Sequence, residues 1–192
     1  MTLHSLPPGS ARYFLALVPP DPIYGQCMDL KNYFSEVHNS RGALRSPPHI
    51  TLHMPFNWAD RKIARLVDTL ENFTARQPQF EIQLNGFDCF EPRVIFIRVE
   101  PTSELNNLHK KTEQLFKIEF NLFNAVYRNE PFTPHLTIAF RDLKKEAFHI
   151  AWPTFKNKSF QASWKIENLC LLKHDGQKWQ AFKWFKLGAA TN

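Results

Sequence analysis

Two short segments of this 192-residue chain could do chemistry together: Pro48-His49-Ile50-Thr51-Leu52 and Pro134-His135-Leu136-Thr137-Ile138. Each reads Pro-His-apolar-Thr-apolar, and the histidines stand 86 residues apart (135 minus 49). A chain with 14 prolines, eight histidines and 43% hydrophobic residues yields roughly 0.005 such matches by chance, so the repeat stands well above background. A lone His-x-Thr would read as a satisfied pair in a core strand; the second copy argues against that. Imidazole titrates near pH 6.5, so one ring can take a proton from water while its protonated counterpart gives one to a leaving oxygen. Threonine hydroxyls can donate to the non-bridging oxygens of a phosphate, where charge grows in the transition state. Two imidazoles and two hydroxyls therefore suit phosphoester cleavage by side chains alone. Arg45 and Arg141 flank the motifs and supply candidate cations for the same anion.

Those groups cooperate only if the backbone places them on one side. In a strand successive side chains alternate, so His49 and Thr51 share a face and Ile50 and Leu52 share the other; His135 and Thr137 behave alike. His53 falls on the His49 face by the same parity and is a further candidate substrate contact. On a helix, His49 and His53 would be spaced to hold zinc. The flanking prolines and the Ile-Thr content favour a strand, and no cysteine or carboxylate adjoins either motif, so no metal is expected. The six glycines are Gly9, Gly25, Gly42, Gly86, Gly176 and Gly188, the closest pair 12 apart. Neither G-x-G-x-x-G nor G-x-x-x-x-G-K can be built from them, so no nicotinamide or nucleotide-triphosphate cofactor is expected.

The supporting elements follow from period and punctuation. Arg12 to Val18 reads as a strand stopped by Pro19 and Pro20. Ile23, Cys27, Leu30, Phe34 and Val37 have helical spacing, as do Ile63, Leu66, Val67, Leu70 and Phe73. His49 to His53 forms a strand closed by Pro55. Phe80 to Leu84 and Val94 to Val99 are strands around a turn region from Asn85 to Pro92, and Ser103 opens a third helix. A short helix is expected within Leu143 to Ile150, and Trp164 to Leu172 with Trp179 to Phe185 reads as a closing hairpin around Asp175-Gly176. The expected class is α+β with largely antiparallel sheets, one domain over residues 1–192.

The 24 basic residues exceed the 18 acidic ones, a formal charge of +6 that favours an anionic partner. Cys27, Cys89 and Cys170 form no disulfide framework and read as small apolar residues. No apolar run is long enough for a membrane helix, and Tyr13 to Val18 is short for a signal-peptide core. A monomer in the cytoplasm without membrane contact is expected.

The paired H-x-T motifs resemble those of the 2H phosphoesterase superfamily, the LigT-like 2′-5′ RNA ligases and RNA 2′,3′-cyclic phosphodiesterases. Arg12-Tyr13-Phe14-Leu15-Ala16-Leu17 is similar to the family's opening strand. Leu44-Arg45-Ser46-Pro47-Pro48-His49 and Phe132-Thr133-Pro134-His135 resemble the approaches to its two motifs. The resemblance implies two pseudo-symmetric lobes of mainly antiparallel sheet with outer helices around a central cleft. It implies His49 and His135 as the acid–base pair, with Thr51 and Thr137 on the phosphate. It further implies a metal-independent cyclic phosphodiesterase, possessing in principle the reverse 2′-5′ ligation, that acts on RNA or nucleotides. Many relatives carry an arginine five residues after the second histidine; here that place is Phe140, with Arg141 one later. Trp179 stands where relatives often have a tyrosine. Two alternatives stay open: a catalytically weak RNA-binding or regulatory module on the same scaffold, and a metallohydrolase.

Overall fold

The computed structural model describes residues 6–124 and 132–188. Its elements run β1 (Ser10–Leu17), α1 (Ile23–His38), β2 (Ile50–Ala59), α2 (Ile63–Thr74), β3 (Phe80–Phe90), β4 (Val94–Val99), α3 (Ser103–Phe120), β5 (His135–Ala139), α4 (Lys145–Lys156), β6 (Gln161–Ile166), β7 (Asn168–His174) and β8 (Trp179–Lys186). The strands form two four-stranded antiparallel sheets, ordered β2-β1-β7-β8 and β5-β4-β3-β6. The expected α+β architecture of two pseudo-symmetric lobes is observed.

A repeated unit generates that symmetry. β1–α1–β2 and β4–α3–β5 each send a strand into a helix and return an antiparallel neighbour. The returning strands carry the histidine motifs, are the outer strands of their sheets, and come together at the junction of the lobes. The helices cross over beneath it: α1 packs on β5 and α3 on β2. Both helices end on a left-handed asparagine, Asn39 (φ 52°) and Asn121 (φ 55°), a conformation asparagine tolerates. Each cap N–H donates to a phenylalanine carbonyl, Phe34 and Phe116 respectively, which puts the two helices in register with each other. At the other end of α3, the Thr102 hydroxyl accepts from the Leu105 N–H at 3.2 Å.

One core runs through both sheets, joining Leu15, Ile50 and Leu52 of the first to Ile97, Leu136 and Ile138 of the second. Each such side chain, fully buried, contributes about 1.5–3 kcal/mol. Truncating Leu136 to alanine therefore costs about 2–5 kcal/mol and loosens the strand that carries His135. No helix among the described residues is long and apolar enough to cross a membrane.

Four boundaries differ from expectation. β2 continues through Pro55 to Ala59, because it is an outer strand and a missing donor costs little there. β3 runs through Asn85–Phe90, absorbing Gly86 at φ 70° in a register shift between Leu84 and Phe87. The stretch Trp164 to Leu172 is two strands in different sheets, parted at Glu167. α4 continues through Pro153, which lies on its exposed side, where water can take up the carbonyl that loses its donor.

Candidate active site

The strand parity expected of the motifs is observed. Ile50, Leu52, Leu136 and Ile138 are wholly buried, while His49, Thr51, His135 and Thr137 are half-buried, each with an accessible edge. The four polar groups thus line the open side of the two meeting strands.

Each imidazole is oriented by the same local device. His49 Nδ1 lies 2.7 Å from the Pro47 carbonyl, and His135 Nδ1 lies 2.8 Å from the Thr133 carbonyl. A carbonyl only accepts, so Nδ1 carries the proton in both rings and Nε2 is left to exchange protons. Aromatic rings fix the planes. Phe14 packs on His49 at 4.8 Å between centroids; Phe90 and Phe96 each pack on His135 at 5.1 Å.

Burial pushes the proton affinity of both rings down. His49 falls to about 4, through burial first and then the positive charge of Lys31; its bond to Pro47 opposes the shift, and the charge of His135 adds to it. The charge of His135 thus reaches His49 across the site. His135 is lowered by burial and partly restored by its bond to Thr133. Lys31 lies on α1 at 1% exposure and donates to the Ser46 carbonyl at 3.0 Å, just upstream of His49. Its amine is itself lowered to about 8 by burial.

A carboxylate ties the two motifs together. Asp142, in the turn after β5, accepts from Ser40 Oγ at 2.9 Å, the Arg41 N–H at 2.7 Å and the Gly42 N–H at 2.8 Å. A Cβ on Gly42 would meet the carboxylate at 2.7 Å, so only glycine admits this approach. The contact joins the end of one motif strand to the turn that leads into the other.

Of the other predicted residues, Arg45 is exposed at the end of the 3-10 turn Gly42–Arg45. Arg141 is exposed, with its guanidinium 4.9 Å over the Phe140 ring. His53 does not share the His49 face. The β1–β2 register slips between Leu15 and Ala16, so Ala16 faces Thr51 while Leu15 faces His53. This bulge turns His53 inward to 2% exposure, stacked on Phe116 at 4.0 Å, with proton affinity lowered to about 4 by burial. It thereby parts company with His49 as a metal partner, and no group of three potential ligands occurs among the described residues. Cys27 and Cys170 are buried, with thiols pushed up to about 12 by desolvation, while Cys89 is partly exposed.

Sequence reasoning passed over Lys31, Asp142 and two groups beside the site. Arg12 shares the parity of Phe14 on β1, a signal that was legible. Its guanidinium lies 5.8 Å over the Trp179 ring. His174 packs on the same indole at 4.9 Å, a β7–β8 pairing.

The family profile described as the 2′-5′ RNA ligase superfamily matches residues 19–178. An Oceanobacillus iheyensis protein named "Putative phosphoesterase OB1230" is 28% identical over 180 residues, covering 92% of this chain and 98% of its own. A Geobacillus kaustophilus protein, "Putative phosphoesterase GK0864", is 26% identical over 92% of this chain and 96% of its own. Among solved structures, TT0787 of Thermus thermophilus superposes with a TM-score of 0.68 at 16% identity, over 94% of this chain and 100% of that one. E. coli LigT complexed with 3′-AMP does so with 0.64 at 18% identity, over 93% and 98%. At these identities the structural likeness shows the fold.

Proposed function

The chain belongs to the 2′-5′ RNA ligase superfamily, and on that premise we propose that it is a phosphoesterase that opens 2′,3′-cyclic phosphate ends of RNA or nucleotides. His49 and His135 are its proton-transfer groups, and Thr51 and Thr137 its phosphate-binding hydroxyls. The observation that carries this reading is the duplicated tautomer lock, which leaves the Nε2 of each half-buried ring for proton exchange. The structural neighbour complexed with 3′-AMP supports a ribonucleotide phosphate as ligand class.

Neutral His49 Nε2 takes a proton from water as the water oxygen bonds to phosphorus. The bond from phosphorus to one ribose oxygen breaks, and protonated His135 gives its proton to that oxygen. The product is a phosphate monoester beside a free hydroxyl, and a proton passed from His49 to His135 through solvent restores the starting pair. Lys31 supports this division of roles: its charge disfavours a second positive charge on His49, whereas burial and the Thr133 carbonyl are what act on His135. Bound phosphate, being anionic, raises the proton affinity of both rings and supplies the protonated acid. The threonine hydroxyls donate to the non-bridging oxygens. With the 5′-hydroxyl of a second RNA end in place of water, the same transfers bond that oxygen to phosphorus as the 3′-oxygen leaves and takes the proton, which gives a 2′-5′ linkage.

The test is turnover of nucleoside 2′,3′-cyclic phosphates and of a short RNA with a cyclic end, each with and without chelator. The expected result is a monoester product, chelator-insensitive, with a bell-shaped kcat/KM profile centred below about pH 6.5. Salt-dependent RNA binding with no product would favour the module without catalysis, a reading that Phe140 in place of arginine keeps in view. Loss of turnover with chelator would favour a metallohydrolase.

A further inference from the structure

Beside His49, the first sheet carries a wall of positive charge that nothing in the cleavage step uses. From His49 the aromatic contacts run to Phe14 (4.8 Å) and on to Trp179 (4.7 Å). Around that indole sit the Arg12 guanidinium at 5.8 Å and the His174 ring at 4.9 Å. His174 Nδ1 accepts from the Gly176 N–H at 3.1 Å, so its proton resides on Nε2, a donor. Leu44 and Ser46, on either side of Arg45, line one cavity with Trp179; burial lowers the proton affinity of His174, the charge of Arg12 adds to that, Asp175 opposes it, and Arg45 adds a smaller push downward.

Neither Arg12 nor Arg45 forms an ion pair among the described residues. Asp175, the carboxylate whose charge reaches His174, already accepts from the Gln177 and Lys178 N–H groups at 2.8 and 2.7 Å and from the Gln180 amide. The arginine beside the other histidine is satisfied within the protein. Arg98, across from His135, donates to the Asn85 carbonyl at 2.9 Å, and Asn85 is bonded to Glu100 at 2.9 Å. A guanidinium with no ion pair and a donor imidazole on one indole, with Arg45 in the turn beside the same cavity, form an anion site with a stacking surface.

We propose that Arg12, Arg45 and His174, grouped around Trp179, hold a second phosphate of the substrate, so that the preferred substrate carries a phosphate beyond the cyclic one. This rests on the cyclic-phosphate reading and adds to it a substrate class and a direction: the rest of the substrate leaves across the first sheet. The second phosphate can be a 5′-phosphate on a mononucleotide or the internucleotide phosphate of an RNA end.

The experiment compares kcat/KM for adenosine 2′,3′-cyclic phosphate, its 5′-phosphorylated form, and a dinucleotide ending in the cyclic phosphate. At least one phosphorylated substrate is expected to be favoured about tenfold or more, as charge-assisted hydrogen bonds provide, and the preference shrinks with added salt. The arm that gains identifies the source of the phosphate. In Arg12→Gln with Arg45→Gln the ratio collapses toward one, while exposed Lys145→Gln, on α4, leaves it unchanged. Equal kcat/KM on all three substrates, or a preference that survives the double substitution, overturns the proposal. Equilibrium binding of 3′-AMP against adenosine 3′,5′-bisphosphate reads the same site without turnover. Tighter bisphosphate binding that needs both arginines, in a protein with no turnover, would leave this site standing while the cleavage reading fell; equal binding would remove it.

Discussion

β2 and β5 deliver their imidazoles with the same backbone device but stand on different supports. Counting back from the phenylalanine carbonyl that closes each helix, the third residue is Lys31 on α1 and Glu113 on α3. Lys31 reaches the Ser46 carbonyl just before His49. Glu113 accepts from Asn124 at 3.1 Å, and Asn124 in turn accepts from the Met54 N–H at 2.8 Å, just beyond the His49 motif. β2 is thus braced upstream by a cation and downstream by an anion, each from a different helix. β5 follows Phe132, whose ring stacks on His109 of α3 at 3.7 Å, and leads into the Asp142 clamp. Lys31 bears on His49; Glu113 bears on His53 and His109 and is not among the causes acting on His135. Duplicated backbone makes the rings geometrically alike, and unequal charge beneath it makes them chemically different.

The most severe way to break the comparison is to remove one ring at a time. His49→Ala and His135→Ala are each expected to lower kcat/KM by about 10²–10⁴-fold with circular dichroism unchanged. The double variant should fall little further, because the two groups act as a unit. A single variant that keeps full turnover would reduce the pair to one working lobe. Thr51→Val and Thr137→Val should each cost about a hundredfold, read mainly in kcat, since a hydroxyl donor to developing charge is lost while shape is kept.

Next in size is the bridge between the motifs. Asp142→Ala deletes three hydrogen bonds and leaves two backbone donors seeking water, a loss of about 2–4 kcal/mol in denaturant unfolding. The smallest effect sharpens the comparison most. Lys31→Met removes the cation that opposes protonation of His49, so the acid limb of kcat/KM should move to higher pH. Glu113→Gln should leave that limb in place. A limb that ignores Lys31, or one that follows Glu113, would reverse the division of roles.

Much of this site was legible because strand alternation is a period-two code: once Pro-His-x-Thr was read as a strand, the burial of Ile50, Leu52, Leu136 and Ile138 followed. Helix spacing marked α1, α2 and α3 for the same reason. His53 was misplaced because a bulge reverses parity, and no residue type announces it in Leu52-His53. Glu167, where one apolar stretch divides between two sheets, was equally silent, since local pattern does not specify the partner strand. Lys31 and Asp142 were silent because their meaning lies in contacts 15 and about 100 residues away in sequence. The approach to the second motif over residues 125–131 lies outside the described residues.

The central claim, that both imidazoles serve one phosphate, is tested most directly by nitrogen-15 NMR of the histidine side chains during titration with inorganic phosphate. Free protein should show His49 and His135 as Nδ1–H tautomers at neutral pH, and phosphate should shift both Nε2 resonances along one saturation curve while raising both proton affinities. A response confined to one ring, or two rings saturating at separate phosphate concentrations, would contradict it.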